Sequence, residues 1–104
     1  MTPSVARGRE TVFRPRLTSN AIDIGAGAFE PGTSVVTAGT TVTWVNRDRA
    51  AHFVMSLSGT FVGSSVLEEH QKYSVTFDRP GEYAYFCALS PKMVGRIVVV
   101  APGD

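Results

Sequence analysis

The chain has 104 residues, 43% hydrophobic and 18% charged, with a formal net charge of +1, the arithmetic of one compact domain with a single core. Its one cysteine, Cys87, excludes an internal disulfide, a Cys-rich zinc site and a CxxC redox pair. No Lys/Arg cluster with interleaved aromatics is present, so the footprint of a nucleic-acid binder is missing, and no apolar run reaches the length of a membrane span.

Residues 1–18 are the least patterned stretch and carry Arg7, Arg9, Arg14 and Arg16 against Glu10. They read as an N-terminal arm or an extra edge strand ahead of a domain over residues 19–104. Their basic residues precede no apolar h-region, so no signal peptide is read here. Beyond them a helical period is hard to find, whereas short β-rich segments punctuated by Gly, Pro and Asp recur at the spacing of an all-β sandwich or barrel. Seven to eight strands are expected. The clear ones are Ala21–Ile24, Ser34–Thr37, Thr40–Asn46, His52–Leu57, Tyr73–Asp78, Glu82–Cys87 and Val94–Ala101. Alternation puts Tyr73, Val75 and Phe77 on one face, and Tyr83, Tyr85 and Cys87 on another. Trp44 reads as core, and the continuous run Ile97–Val100 as a strand covered on both faces.

His52, Cys87 and Met93 carry the chemistry. An imidazole, a thiolate and a thioether form a soft donor set that suits copper, Cu(I) above all. Cys87 ends one strand and Met93 lies just before the next, so their connection can fold both sulfurs around one ion. His52 starts a strand after the charged Arg47-Asp48-Arg49 turn, and in an antiparallel sandwich such connections gather at one end. Each residue also has a plainer reading: Cys87 as a buried apolar thiol, His52 as a core histidine, Met93 as core filler. His70, the only other imidazole, sits between Glu68-Glu69 and Gln71-Lys72, which reads as a solvated turn. No nucleophile elbow, phosphate-binding glycine loop or HExxH pair appears, so the chain does not read as an enzyme.

The segments Gly39-Thr40-Thr41-Val42-Thr43-Trp44-Val45-Asn46, then Asp48 and His52, then Phe77, Pro80-Gly81-Glu82-Tyr83, Tyr85, Cys87, Pro91, Met93, Gly95 and Ile97-Val98-Val99-Val100 resemble the cupredoxin family over about residues 20–101. The short loop Cys87-Ala88-Leu89-Ser90-Pro91-Lys92-Met93 is most similar to its amicyanin- and plastocyanin-like branch. The resemblance implies a cupredoxin-like Greek-key β-sandwich with a type 1 copper, cycling between Cu(II) and Cu(I), that passes one electron between redox partner proteins docking at the copper end. It implies four ligands: a His after the Thr-Val-Thr-Trp strand, a Cys, a second His three residues on, and a Met. His52, Cys87 and Met93 match three of them. Ser90 stands at the fourth.

A serine hydroxyl is a neutral, hard oxygen donor that replaces an imidazole poorly on copper. The resemblance with this departure implies an altered or open site that accepts added ligands, favours Cu(I) and exchanges electrons slowly. Asn46 is expected to brace the 87–93 loop by hydrogen bonds. Phe53, Leu89 and Val94 are expected to form an apolar collar, and Lys92 and Arg96 to face an acidic partner. The family also implies a place in the periplasm or otherwise outside the cytoplasm, and a small sandwich with one functional end is expected to be a monomer. Ser90 opens two other readings: a Cu(I)-binding carrier or sensor domain, and a metal-free interaction module that keeps the fold.

Overall fold

Alternation of apolar and polar residues turns one face of each strand inward and fixes which side chains meet between the layers. A computed structural model describes residues 16–102. Among these residues there are eight strands: β1 (Ala21–Ile24), β2 (Phe29–Glu30), β3 (Thr33–Thr37), β4 (Thr40–Asn46), β5 (Met55–Ser56), β6 (Lys72–Phe77), β7 (Gly81–Cys87) and β8 (Ser90–Val100). They form two four-stranded sheets, ordered β2-β1-β4-β6 and β3-β8-β7-β5. The architecture is all-β, the eight-stranded sandwich that the resemblance implies. Of the arm expected at residues 1–18, positions 1–15 lie outside the described residues. Thr18 is tied to β3, donating its N–H to Val35 O at 2.8 Å and accepting the Val35 N–H on Oγ1 at 2.9 Å.

The sandwich is not purely antiparallel, as the sequence reading supposed. β1 runs parallel to β4, pairing Ile22 with Trp44, and β3 runs parallel to β8, pairing Ser34 with Ile97. The β3–β4 connection, turning at Gly39 with φ +93°, carries the chain from one sheet to the other. A residue with a Cβ would be strained at that angle.

β4 shows how a strand divides its two faces. Val42 and Trp44 are fully buried, while Thr41 and Thr43 face outward and bond across to Thr76 and Ser74 of β6 at 2.7 and 2.8 Å. The core joins Ile22, Ile24, Val42, Trp44 and Phe77 of the first sheet to Val36, Tyr85, Cys87, Met93, Ile97 and Val99 of the second. At its centre the Trp44 and Tyr85 rings meet edge-to-face with centroids 5.2 Å apart, and Phe29 packs on Tyr85 at 4.7 Å. Each fully buried large side chain contributes roughly 1.5–3 kcal/mol relative to exposure. Ile97 and Val99 are buried, but Val98 and Val100 are only half-covered, because the outer face of β8 has no second layer over it.

Candidate metal centre

Two inward-facing elements converge on Cys87. It is the last residue of β7, fully buried, on the same face as Tyr85. The register shifts between Phe86 and Cys87, so that Cys87 pairs with Ser90 and the strand turns sharply into β8. From the other side comes the stretch between β4 and β5. His52 there makes a single antiparallel bridge with Leu67, exchanging N–H to carbonyl bonds of 3.0 and 2.8 Å. That bridge sets the buried His52 ring against the thiol: Nδ1 lies 3.4 Å from Cys87 Sγ. The Phe53 N–H also points at the sulfur, at 3.5 Å.

The second imidazole nitrogen is anchored. His52 Nε2 lies 2.8 Å from Asp48 Oδ2, four residues back in the charged turn. Asn46, fully buried at the end of β4, organises that turn: its Oδ1 accepts the Asp48 N–H, and its Nδ2 donates to Ala50 O and Leu67 O, each at 2.9 Å. The amide thus braces the 46–52 turn and the Leu67 bridge, where the sequence pointed to the 87–93 loop.

These contacts shape the protonation of the metal-free site. Burial pushes the Cys87 thiol up, but the Phe53 N–H, His52 and the N–H groups of Leu89 and Ser90 outweigh it, so the thiol titrates below its ordinary range. Burial pulls the His52 imidazole down, yet the Asp48 bond and the neighbouring Cys87 together hold it above the usual histidine value. The bond to His52 lowers Asp48, with the N–H groups of Arg49 and Ala50 adding to it against burial. The contacts thus favour the thiolate form of Cys87 and the protonated form of the His52 ring, and a cation bound there would take the place of a proton.

The donor set fits a soft first-row metal. With metal bond lengths of about 2.0 Å to nitrogen and 2.3 Å to sulfur, a 3.4 Å separation lets both atoms reach one ion. Met93, 4% exposed, belongs to the same buried cluster as Cys87. Ser90 is half-buried, with its N–H directed at the sulfur. His70 is held apart from this group: its side chain is 72% exposed and lies 3.7 Å from Glu69. Among the described residues no cluster of three or more His, Cys, Asp or Glu side chains could hold a metal.

The remaining surface differs in part from expectation. Leu89 is exposed beside the site and Phe53 half-buried, but Val94 points to the outer face of the second sheet. There it lines a shallow groove with Leu57, Ala84 and Arg96 instead of joining a collar. Arg96 pairs with Glu82 at 3.1 Å.

The profile of the cupredoxin-like domain matches residues 11–99. This chain belongs to the cupredoxin family. Amicyanin-alpha of Methylorubrum extorquens is 35% identical to this cupredoxin over 103 residues, covering 94% of the chain and 87% of that protein. The chloroplastic plastocyanin of Tetradesmus obliquus is 30% identical over 105 residues, covering 84% and 72%. A solved amicyanin variant with Cu(I) superposes with a TM-score of 0.72 at 32% identity, covering 76% of this cupredoxin and 79% of that chain. Copper is the metal that amicyanins and plastocyanins bind.

The sequence named His52, Cys87, Met93 and Asn46 as site residues and matched Asp48 only as part of the family motif, without its bond to His52. Its signal was an i, i+4 spacing to His52 within a turn, where charge ordinarily means solvation.

Proposed function

We propose that this cupredoxin is a one-electron carrier whose copper is held by His52, Cys87 and Met93, with Ser90 leaving the fourth ligand position open. The observation that carries the reading is the buried pair of His52 Nδ1 and Cys87 Sγ, 3.4 Å apart, with the far nitrogen of the ring tied to Asp48. Copper, when bound, supplies a Cu(II)/Cu(I) couple. The protein's part is constraint: β7 and β8 fix both sulfurs, the Leu67 bridge fixes the imidazole, and a rigid donor set limits rearrangement between oxidation states. Met93 would add a weak thioether bond that tunes the potential more than it retains metal.

Ser90 shapes the rest. Without a second imidazole the site takes up imidazole or small anions, prefers Cu(I) and exchanges electrons more slowly than a four-ligand centre. Redox partner proteins dock at the copper end around Leu89, and the chain works as a monomer outside the cytoplasm, in a periplasm or beyond it, with no catalytic reaction of its own. A Cu(I) carrier or sensor is the second reading, favoured by a set of two sulfurs and one imidazole, which suits Cu(I).

Voltammetry of the copper-loaded protein separates the two. A reversible one-electron wave with the imidazole-free protein supports electron carriage. Tight Cu(I) binding with no reversible oxidation sinks it in favour of the carrier.

A further inference from the structure

We infer that Asp48 is a positioning residue for the metal centre: its carboxylate accepts the Nε2–H of His52 and so fixes the tautomer whose Nδ1 lone pair faces Cys87. The geometry stands by itself, and the consequence for copper rests on the reading above.

An imidazole presents either nitrogen, and the one bonded to an acceptor keeps the proton. Here the acceptor is 2.8 Å from Nε2, which leaves Nδ1 as the donor 3.4 Å from the sulfur. The His52 side chain is 4% exposed and that of Asp48 21%, so the bond sits at the edge of the core, where water competes little for the ring. The carboxylate is itself held in place. The Arg49 and Ala50 N–H groups bond to it, and Asn46 grips the turn through the Asp48 N–H and Ala50 O. Asn46 thus orients Asp48, and Asp48 orients His52.

A carboxylate does more than a neutral oxygen would. Its negative charge makes the imidazole a stronger donor and favours the more positive ion, Cu(II), over Cu(I). Ser90 acts in the opposite direction, since the lost imidazole weakens Cu(II) most. Asp48 therefore compensates for Ser90 and keeps both oxidation states accessible.

Asp48→Asn retains an oxygen acceptor and removes the charge; Asp48→Ala removes both. The readouts are the His52 tautomer by nitrogen-15 NMR of the metal-free protein, at a pH above the imidazole titration, and the reduction potential of the copper form. Asp48→Asn should keep the Nε2–H tautomer while the ratio of Cu(II) to Cu(I) affinity falls about tenfold, a rise of about 59 mV for a one-electron couple. Asp48→Ala should give mixed tautomers and about 10- to 100-fold weaker Cu(II) binding. A parental tautomer in Asp48→Ala overturns the positioning role, and a parental potential in Asp48→Asn overturns the charge effect. If the parent takes up no copper, the copper reading fails while the tautomer still decides whether Asp48 positions the ring.

Discussion

Gly95 is the position where the smallest change should do the most damage. It pairs with Tyr85 across β7 and β8, and the Tyr85 ring lies directly over its α-carbon. A Cβ built at Gly95 would overlap Tyr85 Cζ, Oη and Cε2. The ring has nowhere to retreat, because Tyr85 is fully buried between Phe29 at 4.7 Å and Trp44 at 5.2 Å. In an ordinary strand, Gly→Ala would stabilise by roughly 0.5–1 kcal/mol through lost chain entropy. Overpacking a tight core costs about 1–3 kcal/mol and here outweighs it. Gly95→Ala should therefore destabilise by roughly 1–2 kcal/mol, lowering Tm by several degrees, at about 4–8 °C per kcal/mol for a domain of this size. Tyr85→Leu in the same chain should recover part of the loss, giving a favourable coupling on the order of 1 kcal/mol. Thermal and urea unfolding of the parent, the two single variants and the double variant measure both quantities. A Gly95→Ala protein as stable as its parent, with no coupling to position 85, would refute the packing of Tyr85 over Gly95.

Burial pushes the Tyr85 phenol up to about 12, and its hydroxyl has no hydrogen-bond partner among the described residues. The unfolded chain ionises first, so stability should fall by about 2–3 kcal/mol as pH rises from about 10 towards 12. Tyr85→Phe should flatten that limb without loss at neutral pH, and equal alkaline slopes in urea midpoints would contradict it. Asn46→Ala leaves Leu67 O without the buried amide and should cost about 1–3 kcal/mol in urea unfolding, while a change within error would show that the turn does not depend on it. Ser90→His restores an imidazole at the fourth position and should raise Cu(II) affinity relative to Cu(I), read as a lower reduction potential; an equal or higher potential would mean that position 90 does not face the metal.

Much of the sandwich is legible in the sequence because period-two alternation is a direct image of burial. Val42 and Trp44, Tyr85 and Cys87 are buried where their spacing puts them, and Ala21–Ile24 and Thr40–Asn46 end where the breakers fall. The errors have local causes. β2 is two residues long, too short to show alternation. His52–Leu57 shrinks to Met55–Ser56 because a side chain takes over part of its pairing: the Val54 N–H bonds to Ser64 Oγ at 2.9 Å. β8 starts at Ser90, four residues early, since the bulge at Cys87 lets pairing begin inside the loop. The parallel pairs were invisible because alternation reports which face is buried and not which strand lies alongside. At the site, the sequence named the three proposed donors and Ser90 at the proposed fourth position. It held Asp48 as a motif residue but not its bond to His52, which is set by the turn that Asn46 builds.

The most direct test is an optical titration of the metal-free protein with Cu(II), recorded before and after adding imidazole, with a Cys87→Ser control. An intense visible thiolate-to-copper band that appears with Cu(II), or only once imidazole fills the place beside Ser90, and that is absent from the control, is the predicted result. No band under either condition would contradict a copper centre built on Cys87 and His52.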